Sequence, residues 1–332
     1  MTGRHTLPQG FWQITLAGAD VSNALAPFAL GVDYTDVLHG KSDEVTLRLA
    51  DADGRWRRDW WPAKGMRLTL RFGWRGGLMQ DAGAFEIDET EYRWDRGSGG
   101  VLEVKAQSAG ITGDLRTPRN RAFEGSSLRD LVGSVALTHG LDVTGDVPDI
   151  SFQRVTQAGE SDLAFLTRIA DEYGAAVAVK DGRLVFTDRL GLRDGAGVAI
   201  LTPADVLDMR LKDRAARTAR AAEVSYSDPA TGRLIQVSVG DAAAVSGDTL
   251  RLSSRVETAQ QARLQAAAAL MRTNGGAKSG SLRLPGRPDI AAGSSIGLNG
   301  IGMPDGAYTV ETARHSIDRK GGYVTELEIK GA

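Results

Sequence analysis

The chain has 332 residues, 40 Lys and Arg against 42 Asp and Glu, a formal net charge of −2, and no cysteine. That length suits two or three domains rather than one small core, and the near-neutral charge points to neither a nucleic-acid nor a membrane partner. Without cysteine, disulfides, thiol nucleophiles and thiolate metal sites are excluded together, which fits assembly in a reducing cytoplasm. Met1 to Gly10 has no apolar segment, so no secretory signal is expected. No apolar run approaches the ~18 residues that span a bilayer; the longest Ala-rich stretch is Ala266 to Met271. The expectation is a water-soluble chain without a membrane anchor.

The first third reads as antiparallel β structure. Val45, Leu47 and Leu49 alternate with polar residues, as do Met66, Leu68, Leu70, Phe72 and Trp74. A period of two describes strands with one buried face. Asp51 to Gly54 is a turn signal. Phe85 and Ile87 begin a third strand, Leu102, Val104 and Ala106 mark a fourth, and Gly97 to Gly100 joins them. Residues 1 to 110 therefore suggest a small barrel or sandwich.

Asp114 to Arg121, polar, basic and broken by Pro118, reads as a connector. A helix is predicted over about Ser127 to His139, with Leu128, Leu131, Val132, Val135 and Ala136 on one face and Gly140 as its stop. A second is predicted over about Asp162 to Tyr173, capped by Ser161 and ended by Gly174. Ala175 to Lys180, Asp181-Gly182 and Arg183 to Thr187 spell a hairpin with a type I′ turn. Beyond it, Glu223 to Tyr226 and Leu234 to Val239 flank a turn with Asp228, Pro229 and Gly232. Ser254 and Glu257 have capping-box spacing before an Ala-rich helix that Asn274-Gly275 closes. Strands follow near Ser281 to Leu284, Ser294 to Leu298, Tyr308 to Ser316 and Tyr323 to Ile329.

The chemistry-bearing residues are sparse. His5, His39, His139 and His315 form no local metal pair, and structural roles explain all four. No Gly-x-Ser-x-Gly nucleophile elbow is present; Gly97 to Gly100 reads as a hairpin loop and Gly293-Ser294-Ser295 as a strand start. Acidic pairs occur at Asp33/Asp36, Asp43/Glu44, Asp51/Asp53 and Asp88/Glu89/Glu91. Glycoside hydrolysis needs two carboxyls set across a cleft, which sequence spacing does not supply. Asp51 to Gly54 opens like a calcium loop but lacks the downstream Glu. Gly275-Gly276 before Lys278-Ser279-Gly280 follows a helix instead of starting one, so it is no phosphate cradle. Arg55, Trp56, Arg57 and Arg58 precede Trp60-Trp61-Pro62, and Arg210, Lys212, Arg214, Arg217 and Arg220 form a second basic run. Arg with aromatics suits single-stranded nucleic acid, but protein interfaces enrich the same residues, and the neutral total favours an interface. The assignment is no catalytic, cofactor-binding or metal site.

Three stretches together resemble the phage late control protein D family of tail hubs, related to the hub part of type VI secretion VgrG spikes. The first is Val32 to Asp36 with Ser42 to Leu47, joined by Lys64-Gly65-Met66-Arg67-Leu68. The second is Glu160 to Gly174, followed by the Asp181-Gly182 hairpin with Leu184 and Phe186. The third is Gly306 to Val310, His315 to Ile317 and Gly321 to Thr325. The resemblance spans nearly the whole chain in the expected order. It implies an α+β, mostly β fold: two barrel-like antiparallel β domains, 1–112 and 191–332 (the latter with one inserted helix), flanking a small α+β module, 113–190.

The resemblance further implies a structural subunit and not an enzyme, with no cofactor. It implies a homotrimeric ring joining the tail tube to the spike of a contractile injection machine. Its partners would be the spike protein, tail tube and baseplate proteins, with the tape measure protein as a further candidate, and no specific nucleic-acid binding. The ending at Ala332 leaves no room for a needle or a lysozyme-like domain, so the spike is expected as a separate chain. The expected location is a virion or injection-particle baseplate, synthesised and assembled in the bacterial host cytoplasm. A tailocin or other domesticated device fits the same physical task. The alternative reading is a tail-associated peptidoglycan hydrolase, which a cleft with two opposed carboxylates would support. A DNA-binding tail component is a third reading, resting on the basic run at 210–220.

Overall fold

The computed structural model describes residues 8–110, 113–193, 197–214, 218–228, 231–241, 244 and 247–331. His5, Arg217, Pro229 and Ala332 lie outside them. The fold is α+β and mostly β, as expected. Among the described residues one sheet holds 13 strands. Its main path runs Asp208–Asp213, Lys278–Pro285, Gly322–Gly331, Gly306–Asp318, Ala29–Val37, Glu44–Ala50, Gly99–Ser108, Met79–Asp95, Arg67–Trp74, Gly10–Leu16 and Ala19–Asp20. Strands from the two ends of the chain meet where Gly306–Asp318 pairs antiparallel with Ala29–Val37, placing His315 opposite Tyr34.

The period-two residues make this sheet because each strand buries one face. Val45, Leu47, Leu49, Leu68, Leu70, Phe72, Phe85, Ile87, Leu102 and Val104 form one core. Ile317 and Tyr323, at the tip of the closing hairpin Gly306–Asp318/Gly322–Gly331, enter the same core. The base of that hairpin belongs to another core, with Val310, Leu327 and Ile329 beside Leu282, Leu284 and Ile296. One hairpin thus ties two cores together, and about 25 cal/mol per Å² of buried apolar surface rewards both contacts.

Between the two β-rich ends, the helices Leu128–Thr138 and Asp162–Tyr173 pack with the hairpin Ala175–Lys180/Arg183–Asp188 around Leu131, Val135, Phe165, Leu166, Val177 and Phe186. Both caps follow the sequence. Ser127 accepts from Asp130 N in a capping box, Ser161 accepts from Ala164 N, and Gly174 ends the second helix at φ 71°. Asp181 and Gly182 take φ 48° and 70°, the type I′ turn that the hairpin spacing predicts.

Two local expectations change. The connector at Asp114 to Arg121 is instead a short 3-10 turn, Gly113–Arg116, leading into the strand Pro118–Ser127. Pro118 is tolerated as the first residue of that strand, where its missing N–H matters least. Its partner is Ser151–Ser161, a strand whose polar sequence carries no clear alternation. The Ala-rich helix spans Ala259–Gly275 and is capped by Thr258, whose hydroxyl accepts from Gln261 N at 3.1 Å, not by Ser254. Glu257 turns away and accepts from Gln153 N (2.6 Å) and Arg154 N (3.1 Å) on the neighbouring ribbon. Thr258→Ala is therefore expected to cost about 1 kcal/mol, whereas Ser254→Ala leaves the urea midpoint unchanged; equal shifts would contradict this cap.

This helix covers a separate three-stranded sheet, Ala219–Ser227, Leu234–Gly240 and Asp248–Ser253, through Ala262, Ala266 and Leu270.

Candidate functional site

The large sheet keeps one face polar across strands from both ends of the chain. Arg210 lies opposite Ser281, Ser281 opposite Glu328, and Glu328 opposite Thr312. Across the junction, Arg314 faces Thr35, Thr35 faces Glu44, and Glu44 faces Gln107. Seven adjacent strands at about 4.8 Å spacing make a wall roughly 30 Å wide, far broader than a small-molecule pocket.

The wall is charge-paired. Asp33, buried, holds Arg48 (2.9 Å), Arg314 (3.3 Å) and the Ser316 hydroxyl (2.5 Å). Lys105 bridges Glu89 (3.1 Å) and Glu103 (3.8 Å), and Arg283 lies 3.7 Å from Glu326. Mixed, neighbouring signs produce no broad field of either sign. Of the basic run, Arg210 and Lys212 sit on the exposed edge strand of this wall, and Arg220 lies on the separate three-stranded sheet.

The acidic pairs scatter to different duties. Asp51 is buried, accepts from Trp56 N at 3.1 Å and from the Tyr92 hydroxyl at 3.0 Å, and so folds the turn. Asp53 grips Arg55, whose guanidinium lies 4.2 Å from the Phe28 ring and 5.4 Å from that of Trp60. Trp56 goes into the core, but Trp60 and Trp61 stay 48% and 47% exposed on this braced loop. Exposed indoles held rigid have the character of interface anchors. Asp95 closes the Gly97 to Gly100 loop by accepting from Gly97 N and Ser98 N.

Three of the four histidines lie among the described residues, each engaged inside the fold. His39 Nδ1 accepts from Val177 N at 3.0 Å, and burial lowers its pKa. His139 Nε2 is 2.8 Å from Asp162, joining the end of one helix to the start of the next. His315 lies in the first core, where burial pushes its pKa down to about 4. Among the described residues no three His, Asp or Glu side chains converge as a metal set.

A cluster not foreseen from sequence joins distant segments. Lys180, at the end of the Ala175–Lys180 strand, binds Asp36 and lies 3.4 Å from Asp43. Asp43 also accepts from Val37 N (3.0 Å) and the Tyr34 hydroxyl (3.2 Å), and Asp36 accepts from Ala292 N (2.8 Å). Burial first, then the Asp36 charge, raise Asp43 to about 7. Spacing flagged the two acids, but Lys180 lies 144 residues from Asp36, beyond any local signal.

The architecture is that of a phage tail protein. The 43 kDa tail protein of prophage MuSo2 from Shewanella oneidensis shares it at a TM-score of 0.73 and 16% identity, over 96% of this chain and 98% of that one. A chain of a Francisella PdpA–VgrG complex shares it at a TM-score of 0.58 and 8% identity, over 98% of this chain and 58% of that one. In sequence, the probable baseplate hub protein of Escherichia phage 186 is 32% identical over 177 residues, 53% of this chain and 44% of that protein. The chain spans about half the length of the curated relatives it matches. Residues 102–321 match the phage tail baseplate hub (GPD) family, and the chain belongs to that family.

Proposed function

We propose that the chain is a structural baseplate hub subunit, not an enzyme. Its copies close into a homotrimeric ring that joins the tail tube to the spike of a contractile injection machine, in the tail baseplate of the particle. The observation that carries this reading is the wide, charge-paired polar wall built from both ends of the chain. A wall of that kind can line a passage without trapping a polymer on a single-sign field. The exposed Trp60-Trp61 pair suits contact with another subunit or baseplate protein. Family membership supports the hub role.

The same reading divides the chain at 112/113 and 190/191 into barrel-like, α+β and barrel-like parts. The central core, whose buried members run from Leu115 to Phe186, supports that division. The test is absolute mass by light scattering, alone and mixed with the spike chain. Three chain masses per hub particle are expected in at least one condition. A monomer in both would overturn the ring, and cell-wall hydrolysis would then be assayed.

A further inference from the structure

The strand Ala175–Lys180 lies at the edge of the central three-stranded sheet, so one row of its backbone groups has no strand beside it. At Val177 a loop from another core takes up that row. Val177 N donates to His39 Nδ1 at 3.0 Å, and Gly40 N donates to Val177 O at 2.9 Å. An imidazole nitrogen thus stands where a neighbouring strand would put a carbonyl. The loop follows the strand Ala29–Val37 of the large sheet, and Leu38 N fastens its start by donating to Glu311 O at 3.0 Å. Val177 is fully buried, and His39 Nε2 is shut off from water as well.

This geometry fixes the state of the ring. Nδ1 accepts, so the one ring proton sits on Nε2, 3.4 Å from Asp171 Oδ1. A second proton would go on Nδ1 and point at the Val177 N–H. That bond would be lost, and a buried N–H would be left without a partner.

The charges around the ring work in the same direction. The cavity beside it holds Arg189, Arg272 and Lys330 against Asp171 and Glu311. Toward the polar wall, Lys41, Arg210 and Lys212 stand against Glu44 and Glu328. Each set has one more cation than anion, so a positive ring is costly on both sides. Glu311 is already shared by Arg189 and Lys330. Asp171 does favour a positive ring, but its side chain is 46% exposed, and the Nε2–H of the neutral ring already faces it.

We propose that His39–Gly40 is an acid-released clip: the loop stays on the edge of the Ala175–Lys180 strand while the imidazole is neutral and comes off when the ring takes a second proton. This goes beyond the hub reading and does not depend on it. The sign follows from the Val177 N–H. The clipped ring resists protonation, and burial is the main cause of its lowered pKa. Off the strand and in water, the ring takes the ordinary value of about 6.5. The released state therefore binds more protons. The clip is complete above about pH 6.5 and weakens as pH falls below that value.

Hydrogen exchange on the whole chain, corrected for intrinsic rates, tests this at the amides of Gly40 and Val177. From about pH 7.5 to about pH 5.5 their protection is expected to fall about tenfold, since each pH unit below the free value changes the linked equilibrium about tenfold. Asp43, raised to about 7, titrates over the same interval; it accepts from Val37 N just before the loop, with Asp36 and Lys180 beside it. His39→Asn separates the two acids of this interval. Its side-chain oxygen replaces Nδ1 as acceptor, it takes no proton, and Asp43 is untouched, so a flat profile is expected. A His39→Asn profile as steep as wild type assigns the fall to Asp43 and overturns the clip. Constant protection in the wild-type chain overturns it too. Gly182, whose N–H donates to Ala109 O at 3.0 Å at the turn of the same hairpin, is expected to keep its protection. An equal fall there means that the whole hairpin leaves, and the clip is again overturned. Should His39→Asn fail to fold, the imidazole nitrogen shifts of His39 in the wild-type chain give a second reading. A neutral ring with its proton on Nε2 is expected at pH about 7.5, and a proton on Nδ1 contradicts the clip.

Discussion

Replacing Asp162 with alanine is expected to destabilise the chain by about 3 kcal/mol, at the low end for breaking a buried ion pair. Asp162 has 0% exposure and opens the helix Asp162–Tyr173. Its carboxylate takes Arg121 at 2.5 Å, His139 at 2.8 Å and Gln157 Nε2 at 2.8 Å, with Arg119 at 3.5 Å. Removing it leaves two guanidiniums and a buried imidazole without their shared acceptor. The two arginines keep part of their side chains in water, which limits the loss.

Urea unfolding followed by far-UV circular dichroism and by tryptophan fluorescence measures this change. All six tryptophans lie between Trp12 and Trp94, so fluorescence reports the first core. Dichroism near the helical minimum reports the helices. A midpoint unchanged in both signals would contradict the role assigned to Asp162. Burial works to raise the Asp162 pKa, but the hydrogen bonds from His139 and Gln157 and the charges of Arg121 and Arg119 outweigh it and lower the pKa. Its stabilisation is thus complete above the unfolded carboxylate value of about 4 and is lost as pH falls through the lower folded value.

Tyr323→Ala is expected to cost about 3–5 kcal/mol, the range for removing a large buried aromatic ring. The ring sits 5.1 Å from that of Trp74 and 6.3 Å from that of Phe72, and its hydroxyl lies 3.0 Å from His315 Nδ1. Gly10 and Gly286 back directly onto it, since a Cβ on either would come within 2.7 Å of Tyr323 atoms. Because Tyr323 packs in the core that holds Trp56 and contacts Trp74, the loss is expected in the fluorescence transition. Tyr323→Phe keeps the ring and is expected to cost only about 1 kcal/mol, because the Thr325 hydroxyl, 3.1 Å away, still reaches His315 Nδ1. Equal costs for the two variants would show that packing of the ring is not what counts.

Where the signal is local, the residues announce the structure. Both central helices begin at Ser127 and Ser161, as their cap patterns require, and Asp181-Gly182 turns with two positive φ values. At the Ala-rich helix the spacing of Ser254 and Glu257 points to the wrong cap. Thr258 takes that place because Glu257 is drawn to the backbone of Gln153 and Arg154, over a hundred residues earlier. The strand Ser151–Ser161 escapes sequence reading because it lies in a two-stranded ribbon exposed along much of its length, so few of its positions need apolar side chains.

What this sequence determines by itself is its strongly patterned elements and their order, β then α+β then β, because a period of two or of 3.6 and a capping side chain act within a few residues. Tertiary structure alone decided which strands meet. It joined Arg314 to Asp33, Lys180 to Asp36 and Arg189 to Glu311, and so made the polar wall and the Lys180 cluster. Those pairs are more than a hundred residues apart, and only the packing of buried faces into common cores brings such charges within bonding distance.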